Sequence, residues 1–150
     1  MNNSYKLEEL RDLNNLTKKK LADKLGVSDS IYSRWENNNS ALPTRRLVQI
    51  ANYYKLNIDY ILGLTKTKIT IDQSRRLNLQ TISNRLRTVR SEQKLSLREF
   101  ASVLNTTSST ICAYETGKVL IIESFLEEIC RKYKYSADWI LGFSDKKGLN

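Results

Sequence analysis

The side chains that could do chemistry in this chain of 150 residues are cations and hydroxyls rather than catalytic groups. Histidine, the commonest general base and a common metal ligand, does not occur in the sequence. Cys112 and Cys130 are too far apart for a metal-binding pair, and no glycine-rich phosphate loop is present. We therefore expect no enzymatic activity, no cofactor and no metal site.

Positive charge is the strongest compositional signal. The formal net charge is +9, from 25 basic and 16 acidic side chains. It is densest in the short segment 65–81, which holds Lys66, Lys68, Arg75 and Arg76. A basic excess favours a polyanionic partner, chiefly nucleic acid, although an ordinary surface excess of lysine gives the same balance.

The sequence also bears on the compartment. No apolar run approaches the roughly 20 residues that a membrane span needs, and the N-terminus lacks the apolar core of a signal peptide. We expect a cytoplasmic protein with no membrane contact. In a reducing compartment both cysteines are expected to be free thiols.

A gapless internal repeat organises the chain, because the tract 16–63 realigns onto 95–142. Two copies are too few for a solenoid, and a copy of about 60 residues can fold alone. The repeat therefore predicts domains at 1–64 and 82–150, joined by a basic linker at 65–81. Identical pairs in the repeat include Ala22/Ala101, Leu25/Leu104, Ser30/Ser109, Glu36/Glu115, Leu47/Leu126, Ile50/Ile129, Tyr54/Tyr133 and Asp59/Asp138.

The elements that must position these side chains are helices, because apolar residues recur at intervals of three and four. The fold class is predicted to be all-α, with five helices in each domain. The tail from Ser144 to Asn150 is expected to be frayed. In the first copy, Leu7, Leu10 and Leu13 are expected on one face of a first helix. Further helices are expected from an N-cap at Thr17 to Leu25, from Asp29 to about Asn37 after an N-cap at Ser28, from a first turn holding Pro43, and over Ile58–Leu62 after an N-cap at Asn57.

The second copy has helix caps and turns at the same positions, formed by different residues. Ser96 and Glu99 have the spacing of a capping box. Asn105 replaces Gly26 at a turn that needs a left-handed backbone. Thr107 and Ser136 replace the other N-caps.

Each copy contains two short helices joined by a tight turn, which is the helix-turn-helix arrangement. The tract 21–37, LADKLGVSDSIYSRWEN, resembles the Cro/lambda-repressor-like (XRE) family, whose pattern is roughly L-A-x-x-L-G-V-S-x-S-x-I-S-x-W-E-N-G. Segments 100–105 and 110–117 follow it more loosely. The resemblance implies two tandem lambda-repressor-like domains and a homodimeric, sequence-specific binder of double-stranded DNA, a repressor from a phage or mobile element.

By this resemblance the third helix enters the major groove, with Asp29, Ser30 and Arg34 reading bases and lysines at the start of the second helix contacting phosphate. Tyr32 and Trp35 form the buried stripe, with Ile31 partly buried. Other readings stay open: Asp29 complements the helix dipole, and the lysines are a solvated run. The full predicted DNA-binding set is Lys18, Lys19, Ser28, Asp29, Ser30, Ser33, Arg34, Asn37 and Asn39.

The second copy departs from the pattern, because Arg34 becomes Ala113 and Lys18 becomes Leu97, which we expect to be exposed. The alternative function is a protein-binding module: an antirepressor, an antitoxin or a phage-encoded inhibitor of a host defence complex. Its second domain would bind a protein partner or dimerise. The predicted second DNA or partner face is Arg98, Thr107, Ser108, Ser109, Ala113 and Lys118. Glu36 and Glu115 are read as structural.

Overall fold

Ten α-helices account for the regular structure of residues 6–149, the part of the chain that the computed structural model describes. Within those residues strand pairing is limited to two isolated bridges, which confirms the all-α prediction. No helix among them is long and apolar enough to cross a membrane. The chain divides into two compact units, Met1–Ser74 and Arg75–Asn150.

The first unit follows the predicted capping. The hydroxyls of Thr17 and Ser28 accept hydrogen bonds from the backbone of Lys20 and Ile31. Gly26 ends the second helix at a φ of 74°. Pro43 is the N-cap of the fourth helix rather than part of its first turn, because its backbone is extended. The helices are α1 (Leu7–Leu13), α2 (Lys18–Leu25), α3 (Asp29–Glu36), α4 (Thr44–Tyr54) and α5 (Ile58–Ile61).

The second unit repeats these five helices. Ser96 and Glu99 form the predicted capping box, and Asn105 takes a φ of 54°. The first helix has 14 residues, against 7 in α1, because it starts earlier, after an N-cap at Asn78. The helices are α6 (Leu79–Glu92), α7 (Leu97–Val103), α8 (Ser108–Glu115), α9 (Glu123–Tyr133) and α10 (Ala137–Ile140).

Each unit has its own apolar core, which fixes the orientation of its third helix. Burial of such side chains contributes roughly 1.5–3 kcal/mol each. In the first unit the core includes Leu21, Tyr32, Leu47, Ile50 and Ile61. In the second it includes Leu86, Phe100, Ile111, Leu126 and Ile140.

The chain after each fifth helix turns back and pairs with the residues before it. In the first unit Asn57 N donates to Ile69 O at 3.2 Å, and Ile71 N donates to Lys55 O at 2.9 Å. In the second unit segment 147–149 pairs with 134–136 in the same way, at 2.8 and 2.9 Å. The expectation of a frayed tail is therefore wrong for residues 144–149, because their backbone groups find partners; Asn150 lies outside the described residues.

The segment predicted as the linker, 65–81, is shared between the two units. Residues 69–71 pair with the first unit, as above. The Arg75 side chain is 7% exposed, lies 4.0 Å from a carboxylate oxygen of Asp138 and stacks 5.7 Å from the Phe143 ring centre. The units therefore meet in sequence between residues 74 and 75.

Candidate nucleic-acid interface

Helix α3 has one buried face and one exposed face. Tyr32 and Trp35 are 0% and 4% exposed, and their rings meet edge to face with centroids 6.0 Å apart. Ile31 is 44% exposed, so it is only partly buried, as expected, and lies at the edge of the buried stripe. The reason is angular: residue 31 is rotated about 100° from residue 32, away from the side that the two aromatic rings fill.

Ser33 joins the start of α2 to the exposed side of α3. Its hydroxyl oxygen lies 3.3 Å from Lys18 Nζ and 3.4 Å from Asn37 Nδ2, both of which donate to it. Lys19 follows Lys18 and is exposed. The structure therefore brings three predicted site residues, Lys18, Ser33 and Asn37, into one polar cluster beside a helix N-terminus.

The N-terminus of α3 carries a capping serine and an acidic residue in its first turn. Ser28 Oγ accepts from Ile31 N at 3.2 Å, so its hydroxyl has a capping role. Asp29 and Ser30 follow in the exposed first turn, where the Asp29 carboxylate complements the helix dipole. At the other end of α3, Asn39 N donates to the Arg34 carbonyl at 2.9 Å, which folds the loop back against the helix and leaves the Asn39 residue exposed.

Arg34 stands on the exposed face of α3, in its last turn. Across residues 6–149, no hydrogen bond or ion pair engages its guanidinium. Five N–H donors in a planar fork are therefore available to an acceptor outside the chain.

The equivalent face of α8 is small and uncharged. Ser108, Ser109 and Cys112 are exposed, and Ala113 is partly exposed. Thr107 caps the helix through Thr110 N at 3.2 Å. Leu97, which was expected to be exposed, is partly buried because it lies against this face. Together they line an open groove whose walls are Leu97, Ser108, Ser109, Cys112, Ala113, Thr116 and Lys118.

Cations remain at the edges of this second face. Arg98 and Lys118 are exposed, as predicted for phosphate contact. Arg87 adds a cation that sequence reasoning missed: its side chain is 52% exposed, and its guanidinium donates to the Glu115 carbonyl at 2.8 Å. Comparison of the two copies could not have identified Arg87, because the equivalent residue in the first copy is Glu8.

Comparison with known families decides what these faces belong to. A model described as helix-turn-helix matches residues 7–61, and one described as a helix-turn-helix domain matches residues 83–142. The chain carries two XRE-type helix-turn-helix domains in tandem. This confirms the resemblance drawn from the sequence.

A relative points in the same direction. The chain is 40% identical over 60 residues to an uncharacterized HTH-type transcriptional regulator, YobD, of Bacillus subtilis (strain 168). The match covers 40% of this chain and 54% of that protein, so the chain spans about half the length of the curated relative. No solved structure matches the chain significantly. The matches support a DNA-binding regulator.

Both helix-turn-helix domains hold the third helix with the same buried ion pair. Arg11 Nε donates to Glu36 at 2.8 Å, and Arg90 Nε donates to Glu115 at 2.7 Å. These bonds raise the pKa of each arginine. The structural reading of the two glutamates is confirmed, since their side chains are 0% and 4% exposed.

The arginine partners were missed because the repeat was read from residue 16 onward. Arg11 and Arg90 stand at the same offset as the rest of the repeat, so extending the alignment toward the N-terminus would have found them. Each also donates to the carbonyl of the residue that opens the recognised repeat, Leu16 at 3.0 Å and Leu95 at 3.1 Å.

Proposed function

We propose that the chain is a sequence-specific, double-stranded DNA-binding transcriptional regulator, a repressor of a phage or mobile element, with α3 in the major groove. One observation carries the proposal. The Arg34 guanidinium is exposed and without an intramolecular partner among the described residues, on the side of α3 opposite the buried Tyr32 and Trp35.

The recognition geometry follows from that face. A major groove about 12 Å wide admits a helix, and Arg34 can donate two parallel bonds to guanine O6 and N7. Asp29 can accept from cytosine N4, and Ser30 can bond a base or a phosphate. Lys18 and Lys19 at the start of α2 would contact phosphate, which fixes the register of α3 without reading sequence.

The second domain would add affinity rather than base reading. Arg98 and Lys118 suit phosphates, whereas Ala113 offers at most contact with a thymine methyl. The chain would act as a homodimer, with two first domains on half-sites about 34–36 Å apart. Both domains of one chain entering successive grooves is the other arrangement.

A protein-binding role is the alternative function. It is favoured by one observation: in the groove beside α8, Leu97 and Ala113 stand where the first domain has Lys18 and Arg34, and Lys118 is the one charged residue of its lining. In that case the second domain would bind a protein partner, as an antirepressor, an antitoxin or an inhibitor of a defence complex would.

A DNA titration separates the two functions. We expect Arg34→Ala to weaken binding to the gene's own upstream DNA by about 5- to 150-fold, because a bidentate arginine–guanine pair is worth about 1–3 kcal/mol. Binding by the wild type should fall steeply with salt, as counterion release requires. The measurement is fluorescence anisotropy against this duplex and a scrambled one.

Lys66→Ala is the matched control. Lys66 is an exposed cation outside the helix-turn-helix, so this variant loses the same charge and should keep specific binding. Equal, weak and sequence-independent binding by all three proteins would refute the regulator and leave the protein-binding alternative, which a search for a partner with the full chain would then address.

A further inference from the structure

Ile31 is the one large apolar side chain that α3 and α8 leave exposed. It lies at the edge of the buried stripe of α3, three residues before Arg34, so the two side chains are neighbours on the helix surface. A single exposed isoleucine needs no explanation by itself. The second copy of the domain shows whether the fold requires it.

The second domain has a polar residue at this position. Thr110 corresponds to Ile31, and its backbone N–H donates to the N-cap Thr107 at 3.2 Å, as that of Ile31 donates to Ser28. The Thr110 hydroxyl is hydrogen-bonded to the Thr107 hydroxyl at 3.0 Å. The fold therefore accepts a hydroxyl here, and the exposed hydrocarbon is a feature of the first domain alone.

Ile31 adjoins the side of α3 that carries Arg34. Successive residues of a helix are about 100° apart, so the exposed face runs from Ser33 across Ser30 and Arg34 to Ile31. Helix α2 bounds this face at Ser33, where Lys18 Nζ lies 3.3 Å from the Ser33 hydroxyl oxygen. The face is thus polar except at its far edge, where an apolar side chain stands next to an available guanidinium.

The major groove offers one apolar group to such a side chain. The 5-methyl group of thymine projects into it, whereas the other groups that the bases present there are hydrogen-bond donors and acceptors. A residue three positions before Arg34 lies about 4.5 Å away along the helix axis, against about 3.4 Å between neighbouring base pairs. With Arg34 on a guanine, Ile31 would therefore lie over a base one or two steps away.

We infer that Ile31 recognises a thymine through its 5-methyl group, within about two base pairs of the guanine that Arg34 contacts. The inference rests on the proposed function and adds a further specificity-determining residue to it. Because the contact is uncharged, it favours thymine over cytosine without adding to the salt dependence of binding.

Selection by the full chain from a pool of randomised DNA duplexes tests the inference without knowledge of the operator. We expect the wild type to select a guanine that Arg34→Ala no longer selects, and a nearby thymine that Ile31→Ser alone no longer selects. Serine and isoleucine have similar helix propensities, so Ile31→Ser should fold with unchanged circular dichroism. Alanine is unsuitable, since its own methyl group can contact thymine.

The methyl group is tested in the selected duplex by replacing that thymine with deoxyuridine, which lacks only the methyl. We expect the wild type to bind the deoxyuridine duplex about 4-fold more weakly, because one buried carbon is lost, and Ile31→Ser to bind both duplexes equally. The dependence of affinity on salt should be the same in the wild type and in Ile31→Ser, and shallower in Lys19→Ala.

Ile69→Ser is the matched control. It makes the same chemical change at a side chain that is 51% exposed outside the helix-turn-helix, and it should keep both the selected sequence and the preference for thymine. Selection of the same thymine by Ile31→Ser, or equal binding of both duplexes by the wild type, would overturn the inference and leave an Arg34-dependent regulator standing. Failure of the wild type to select any sequence would refute the inference and the proposed function together.

Discussion

At the residue scale, α3 is positioned by groups on its buried side. The carboxylate of Glu36 is fully buried and is held by Arg11 from α1. Breaking a buried pair by removing one partner typically costs about 3–5 kcal/mol, because a charge is left without its counterion. Arg90 and Glu115 form the same pair in the second domain. The pair is therefore part of the fold, and it occurs whether the exposed face of the third helix carries Arg34 or Ala113.

Tyr32 gives a pH prediction at this scale. Burial of the phenol raises the pKa of Tyr32 far above its ordinary value, and burial also raises that of Tyr54. The unfolded phenol ionises near about pH 10, whereas the folded one stays neutral. Its contribution is therefore fully present below that pH and is lost as pH rises toward the folded pKa, at up to about 1.4 kcal/mol per pH unit per tyrosine.

We expect the unfolding free energy of the first domain to fall above pH 10 and to fall less steeply in Tyr32→Phe. Urea titrations at a series of alkaline pH values measure this, followed by tryptophan fluorescence in a Trp139→Phe background so that Trp35 alone reports. Tyr53→Phe is the control, since Tyr53 is exposed. Identical slopes in the wild type and Tyr32→Phe would contradict the prediction.

At the element scale, the features that the sequence predicted are those that depend on neighbouring residues. N-caps, the capping box and left-handed turns depend on residues within four positions of each other, so Thr17, Ser28, Ser96 and Thr107 could be read directly. The same holds for the exposed polar face of α3, once the family pattern is recognised. Pairs such as Arg11 and Glu36, 25 residues apart, leave no local signal, although both members recur in the second copy at the offset of the repeat.

Asn57 occupies the predicted N-cap position, but its side chain has a different role from the predicted one. It is the N-cap of α5 as predicted, but no capping bond uses its side chain. The amide oxygen instead accepts from Ile69 N at 2.9 Å, and the amide nitrogen donates to Thr67 O at 3.2 Å. Asn57 therefore fastens the segment that turns back after α5.

We expect Asn57→Ala to speed hydrogen exchange at the Ile69 amide by about 5- to 150-fold, because a hydrogen bond to a buried acceptor is lost, at about 1–3 kcal/mol. Exchange read by NMR measures this. Ser136→Ala is the matched variant: Ser136 caps Trp139 N, while its backbone bond to Lys147 stays. If both variants changed the returning segments equally, the distinct role of Asn57 would be refuted.

At the scale of the whole molecule, the repeat predicted two domains of one fold, and the differences between copies carry the functional information. The copies differ on the exposed face of the third helix, where Arg34 is replaced by Ala113, and at the end of the first helix, where Leu13 is replaced by Glu92. Composition placed a linker at 65–81 because that stretch is polar and basic. The returning segment 69–71 and the buried Arg75 could not be read from composition, since each depends on a partner elsewhere in its unit.

The boundary at residues 74 and 75 has a direct test. We expect a protein of residues 75–150 to be more stable than one of residues 82–150 by about 2–5 kcal/mol. The shorter one lacks Arg75, which faces Asp138, and the Asn78 cap of α6. Thermal and urea unfolding followed by circular dichroism measures the difference.

The control keeps the length and removes the contacts. Residues 75–150 with Arg75→Ala and Asn78→Ala should lose most of the same stability, because the effect comes from two side chains rather than from added chain. Equal midpoints for the long and short proteins would instead favour a second domain that begins at residue 82, with 75–81 as a connector.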